Sequence, residues 1–327
     1  MAEQTNKVVE EEVKPVKSLG KRISYALFFT AKECNPNGDP MMGNQPRQNI
    51  FTKQGYVSAE CIKHKVRNRL MWMNEPVLVQ PDAHPLRDDY SCINARAKAV
   101  LGKGKSSKER RSTLSENFTD VRLFGCTIAD SSIPVSLAGP ITMSGATSID
   151  PVMPFGYQLT KSTNGSEPKA KDGKGEEAAE AEAEAATAEK KSSETMGYRE
   201  RIYFGLYMTT GSVTPETARA TGLTYEDMHK KFKPALLKLF EGDATSARPA
   251  GSMEVCKLVW WESDGEDNGP DISKLARTIQ VKRKDGVTLP SSYEDYEFTF
   301  LDAEGKPEAD QSVCTIPGVK REIIECY

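Results

Sequence analysis

RISYALFFTAKEC, residues 22–34, puts Ile23, Tyr25, Leu27 and Phe29 on one side of an extended chain and Ser24, Ala26, Phe28 and Thr30 on the other. Alternation with period two marks a strand, and because both sides are largely apolar the segment reads as a central one. It stops in NPNGDP (35–40), where Asn, Pro, Gly and Asp all favour turns, and a second Gly-Asn pair follows at 43–44. A tight surface loop explains this chemistry; so does a backbone site for an anion or a metal.

Behind the loop, SAECIKHKVRNRLMWM (58–73) predicts a helix. Ser58 stands at its N-cap, Ile62, Val66, Leu70 and Met73 form one apolar stripe, and Lys63, His64, Lys65, Arg67 and Arg69 fill the remaining surface. Residues 74–119, with early prolines and the basic run RAKAVLGKGKSSKERR, read as a helical or irregular insertion. IPVSLAGPITMSGATSIDPV (133–152) gives extended pieces broken at Gly139-Pro140, and RIYFGLYMTTGSV (201–213) is a strong strand. TYEDMHKKFKPALLKLF (224–240) predicts an amphipathic helix started by Thr224 and Asp227, with Met228, Phe232, Ala235, Leu236 and Leu239 as its stripe. Pro234 must kink or restart it. MEVCKLVWWES (253–263) is another strand, and RTIQVKR, YEFTFLD and REIIECY supply short ones near the C-terminus.

Without its insertions the order is strand, helix, extended pair, strand, helix, strand. That βαββαβ pattern is an α+β fold, with two helices packed on one face of an antiparallel sheet. Single-stranded RNA readers use the same arrangement and leave the other face open for nucleotides.

Composition narrows the function. The 327 residues suffice for one large domain or two ordinary ones. The polar, acidic first residues have no apolar signal core, no stretch reaches the roughly eighteen apolar residues of a membrane span, and a cytoplasmic location is expected. Seven scattered cysteines without a CxxC pair argue against a disulfide framework and a zinc site. The net charge of −3 averages unlike parts. Residues 254–327 carry nine basic and sixteen acidic groups, whereas 17–160 and 197–253 together carry 27 basic and 18 acidic. A cationic body of this kind can draw in a polyanion. Apart from Pro168, residues 161–195 contain no apolar side chain larger than alanine, and they read as a disordered or transiently helical loop.

Catalytic signatures are scarce. The three histidines have no metal-pair spacing, and GxSxG, HExxH, GxGxxG and the P-loop are missing. Asp39 is the one carboxylate in a suggestive loop, and an aspartate there commonly bonds its own backbone. Phosphate binding fits better. Asn37-Gly38 and Gly43-Asn44 can adopt positive φ and turn their N–H groups into an anion nest. The helix starting at Ser58 offers its positive end, and Lys63 and Arg67, four apart, share a face. A solvated basic helix beside a plain turn is the competing account.

The series NPNGDPMMGNQPR, YVSAECIKHKVRN, DVRLFGCTI (120–128), GPITMSGATSIDPVMP (139–154) and MGYRERIYFGLY (196–207) resembles the backbone subunits of type I-C CRISPR Cascade. These belong to the Cas-seven family of repeat-associated RNA-binding proteins. The resemblance spans roughly residues 22–260 and implies an RRM-like palm, a finger insertion and a thumb hairpin. It places the palm at 21–260, with the finger at about 74–135 and the thumb with its low-complexity loop at about 155–200. The polar residues 1–20 read as a disordered leader, and there and at 161–195 the chain departs from the family pattern. Residues 261–327 then form an acidic, strand-rich extension of the same domain. The implied protein is no enzyme and needs no cofactor or metal: several copies polymerise along one CRISPR RNA and present it for pairing with target DNA. The implied partners include processing or cap, large and small Cascade subunits and a recruited helicase-nuclease, without a membrane.

Carried over residue by residue, the resemblance makes Ser58, Lys63 and Arg67 ligands of RNA phosphates. Asn37, Gly38, Asn44 and Arg47 follow from the loop, and Arg122 and Ser148 from the later motifs. Met153, Phe155 and Tyr157 are candidates for the thumb wedge, and Cys61 is a small buried residue. The alternative is a metal-dependent endoribonuclease of the type III backbone kind, using Asp39. A generic single-strand RNA chaperone is a third reading.

Overall fold

The strand at 22–34 forms as β1 (Ile23–Cys34) and runs through the middle of the molecule. The computed structural model describes residues 19–160, 196–265 and 269–327. A two-residue ladder of β2 (Gly38–Asp39) and β3 (Gln45–Pro46) closes the loop after β1, and β4 (Gln54–Val57) leads into α1 (Ala59–Trp72). The insertion holds α2 (Ile93–Leu101), α3 (Ser107–Asn117), α4 (Thr119–Phe124) and the hairpin of β5 (Gly125–Ile128) and β6 (Val135–Ala138). Next come β7 (Ile141–Met143), β8 (Ala146–Pro151) and the long pair β9 (Pro154–Thr160) and β10 (Met196–Val213). After them lie α5 (Pro215–Thr221), a π-helical turn (Asp227–Phe232), α6 (Lys233–Leu237) and β11 (Met253–Ser263). The chain ends with α7 (Ile272–Arg277), β12 (Ile279–Arg283), β13 (Tyr296–Phe300) and β14 (Val319–Glu325).

The main sheet is antiparallel in the order β14-β11-β1-β10-β8-β4, with β7 and β9 also on β10. One face packs Tyr25, Leu27 and Phe29 against Ile62, Val66 and Leu70 of α1 and against Phe232 and Leu236. The other face, expected to stay open, is covered. Ala26, Phe28, Phe204 and Val259 lie under Leu275 of α7, Ile279 of β12, and Tyr296 and Phe300 of β13. The acidic C-terminal stretch therefore caps the sheet, because Ile279, Tyr296 and Phe300 give its short strands a buried apolar side. Asp150 clasps this cap to β8: it accepts from Tyr296 Oη at 2.8 Å and lies 3.2 Å from Arg283 Nε.

The insertion is more than irregular chain. Leu78, Ala97, Leu101, Leu114, Val121 and Ile128 are buried in an apolar cluster of its own. The extended pieces of 133–152 break at Gly139 as predicted, and a Cβ there would meet Phe124 backbone atoms at 2.0 Å.

The predicted helix at 224–240 forms in two parts. Asp227 N–H donates to Thr224 Oγ1 at 3.0 Å while Asp227 Oδ2 accepts from the Thr224 amide at 3.3 Å, a reciprocal cap. A π-helical turn precedes Pro234, and the α-helix restarts at Lys233, which spares the helix a missing N–H at mid-length. At the N-terminal end, Leu19 is fully buried and its amide donates to Leu223 O. It belongs to the core rather than to the expected leader; residues 1–18 and 161–195 lie outside the described residues.

Glu262 of β11 sits beside this helix. His229 Nε2 lies 2.9 Å from its Oε1, Trp260 Nε1–H donates to it at 3.2 Å, and these contacts hold the carboxyl down to about 2. A depressed carboxylate adds stability above its ordinary pKa and loses it as the pH falls through the depressed value. Glu262→Gln should therefore flatten the acid limb of a Tm-against-pH curve between about 4.5 and 2. An unchanged limb would show that the cluster contributes nothing to acid stability.

Candidate nucleic-acid interface

The turn after β1 is a folded bracket. Asp39 accepts from the Met41 amide at 3.0 Å, capping a 3₁₀ turn over Pro40–Met42. Gly43 and Asn44 then take positive φ, 63° and 64°, and Asn44 N–H donates back to Asp39 O at 2.8 Å. Asn37 and Gly38 stay out of that region, so the expected pair of nests reduces to one turn whose Asn44 amide is already used. Gly38 has a different purpose. A Cβ on it would fall 2.0 Å from Asn44 Oδ1, so the glycine lets the two sides of the loop close.

The bracket also starts the helix. Asn37 Oδ1 accepts from the Ser58 amide at 2.9 Å, and Ser58 Oγ accepts from Cys61 N–H at 3.2 Å as the N-cap. Arg47 donates its amide to Asn37 O at 3.0 Å, and its guanidinium lies 3.7 Å from Asp39. Arg47 Nε is buried without a partner among the described residues. Asp39 thus holds the turn and neutralises part of Arg47. Cys61 is half-buried, and burial pushes its thiol up, away from a reactive thiolate.

On α1 the cations divide. Lys63 lies 5.8 Å from the Phe124 ring centre and has no carboxylate partner among the described residues. Arg67 lies over the same ring at 5.3 Å, but its Nε donates to Asp120 at 3.0 Å. Asp120 is fully buried and also accepts from the Leu78 amide at 2.7 Å, so Arg67 pins the insertion to the palm. Lys65, expected on the surface, is buried against Asp243, and Arg69 lies 3.2 Å from Glu241. The cationic face of α1 is narrower than its sequence suggests.

Two further predicted ligands turn inward. Arg122 spends its guanidinium on Asp227 at 3.3 Å, Ser115 O at 2.8 Å, Glu116 O at 3.1 Å and Thr119 Oγ1 at 3.1 Å. Ser148 is buried; its hydroxyl accepts from Gly55 N–H at 2.8 Å and donates to Asp150 O, fastening β8 to β4. Neither presents a group to a ligand.

The structure brings other residues to the loop. Where β9 and β10 leave the sheet as a hairpin, Tyr198, Arg199 and Arg201 face the bracket across a cavity of about 210 Å³ that Asn35, Asn44 and Ala247 also line. Arg199 donates to Ser246 O at 3.0 Å, and Arg201 lies 5.2 Å from the Tyr157 ring centre. Arg199 and Arg201, two apart on one strand, share a face, and the YRER run carried that signal. Met153 and Phe155 on the same hairpin are exposed, as are Met41, Met42, Ile50 and Phe51 around the bracket, whereas Tyr157 is half-buried. Cations, exposed apolar side chains and a polar cavity thus meet at one edge, a combination suited to a single strand of nucleic acid.

The family model of CRISPR-associated protein Cas7 matches residues 21–301. A CRISPR-associated protein Cas7 of Haloferax volcanii is 26% identical over 153 residues, 40% of this chain and 44% of that relative, so the chain spans less than half the length of the curated relative it matches. The chain also resembles a chain of a pre-nicking CRISPR RNA-guided surveillance complex, with a TM-score of 0.44 and 14% identity over 76% of this chain and 80% of that one. A chain of another CRISPR RNA-guided surveillance complex gives a TM-score of 0.38 at 14% identity, covering 82% of this chain and 78% of that one.

Proposed function

The chain belongs to the CRISPR-associated Cas7 family, and from that membership we propose that it is a CRISPR RNA-binding backbone subunit of a type I-C surveillance complex. The match across residues 21–301 supports the backbone-subunit reading, and the motif series from NPNGDPMMGNQPR to MGYRERIYFGLY supports the type I-C assignment. In this reading β11-β1-β10-β8, with helical connections on one face, are an RRM-like palm, the 74–135 insertion is the finger and the β9–β10 hairpin the thumb. Guide RNA runs along the edge formed by the bracket, the start of α1 and the base of the hairpin, held through its phosphates by Arg47, Lys63 and Arg199. Ser58, Asn37, Gly38 and Asn44 shape that edge. Copies of the chain line up along one guide in the cytoplasm, with the other Cascade subunits at its ends and flank, and the guide pairs with target DNA. The chain itself cleaves nothing. The commitment of Asp39 to Met41 N–H and Arg47 supports a scaffold over a metal-dependent ribonuclease.

Sequencing the RNA that co-purifies with the protein tests this. One defined length with repeat-derived ends is expected; RNA of random length and origin would leave a generic RNA chaperone. Complementary RNA incubated with the complex and Mg²⁺ should stay intact, and periodic cleavage lost in Asp39→Ala would overturn the scaffold.

A further inference from the structure

We infer that the cavity between the bracket and the hairpin base reads the sugar of the bound strand, with Asn35 accepting a hydrogen bond from a ribose 2′-hydroxyl. The inference rests on the backbone-subunit reading and adds to it a means of telling RNA from DNA. Asn35 is 3% exposed, lines the cavity, and has an Oδ1 with no hydrogen-bond partner among the described residues. Its amide orientation is fixed. Nδ2–H donates to Asn44 O at 2.7 Å, and a flipped amide would set oxygen against oxygen. A buried acceptor left unpaired carries a desolvation cost, which a donor entering the cavity would relieve.

The other lining residues say which donor. Arg199 and Arg201 are among them, and Arg201 Nε is likewise buried without a partner among the described residues. Glu200 also borders the cavity, but its carboxylate lies across Gly156 of β9, where a Cβ would meet it at 2.7 Å. The residues around the cavity therefore include one neutral acceptor without a partner among the described residues and two guanidiniums. In a nucleotide strand the hydroxyl adjoining a phosphate is the ribose 2′-OH, beside the 3′-phosphate. Exocyclic amines change from base to base, so a protein that must hold any guide sequence gains nothing from them here. At about 210 Å³ the space is below the 300–1,000 Å³ of drug-sized pockets and suits a sugar-phosphate unit. A 2′-OH contact is also what separates RNA from DNA at a given site.

The full chain, freed of its own nucleic acid, is titrated with uridine oligonucleotides of one length carrying ribose, 2′-fluoro or 2′-deoxy sugars. The 2′-fluoro strand keeps the ribose-like sugar pucker but lacks the donor and retains only a weak acceptor, and roughly ten-fold weaker binding than ribose is expected, about 1.4 kcal/mol. Asn35→Ala should bind the two alike, while Asn35→Asp, which keeps an acceptor, should retain the preference. Both variants lose the Nδ2 brace on Asn44, so a merely structural role would make them behave alike and would sink the inference. Equal binding of all three strands by the parent, with steep salt dependence, refutes this inference alone. A parent that binds none of them refutes the backbone reading itself. A preference between uridine and cytidine that Asn35→Ala abolishes, without a 2′-OH effect, would put a base in the cavity and overturn the assignment.

Discussion

Arg122→Gln is expected to unfold roughly 6–12 °C below the parent, while its folded fraction keeps parental affinity for RNA. The guanidinium joins Asp227 to the Ser115 and Glu116 carbonyls and Thr119, so it ties α3 and α4 to the π-helical turn before α6. Removing one partner of a buried pair costs about 3–5 kcal/mol, because the other charge stays buried. The lower end applies, since Lys231 still lies 3.0 Å from Asp227. For a chain of this size each kcal/mol moves the unfolding temperature by about 2–4 °C. Burial raises the Asp227 carboxyl, yet Arg122 and Lys231 together bring it below its ordinary value. The variant's deficit should therefore be largest at neutral pH and shrink in acid. Thermal melts with parallel RNA titrations decide: a parental melting temperature with lost RNA binding would return Arg122 to the interface.

What the sequence showed depended on how local the signal was. β1, α1 and the strand at 253–263 carry their periodicity within one element, and Thr224, Asp227 and Pro234 announce the start and break of one helix. The cap on the second sheet face was not legible. Its short strands carry an apolar side amid many charges, and only the register of Arg283 and Tyr296 against Asp150 gives it a place. The site divides in the same way. Ser58 as N-cap and Asp39 as turn residue are properties of their own neighbours in sequence. Arg67, Arg122 and Lys65 are arginines and lysines whose acids stand 53, 105 and 178 residues away, and no local pattern distinguishes a paired cation from a free one. In sequence Asn35 reads as one more turn residue; its unpartnered acceptor and its place beside the cavity appear only in the fold.

That division decides which cations to remove. Neutralising Arg47, Lys63 and Arg199 together, each to glutamine, is expected to weaken RNA binding about 50-fold at 0.15 M salt and to leave the fold intact. For single strands each phosphate contact contributes about 0.7 to the slope of log affinity on log salt, so three lost contacts should lower the slope by roughly 2. Extrapolated from about 1 M salt, where screening has removed most of that contribution, the slope change alone gives the 50-fold loss. Stability should hold. Lys63 has no carboxylate partner among the described residues, Arg47 loses a half-exposed pair at 3.7 Å worth about 0–1 kcal/mol, and Arg199 loses one exposed hydrogen bond. Arg67 is left out on purpose, because its loss would strand the buried Asp120 and mix unfolding with weaker binding. A triple variant with a parental salt slope would remove the RNA track from this edge of the molecule. One with a lowered slope but unchanged affinity at 1 M would confirm that the three side chains act through phosphates alone.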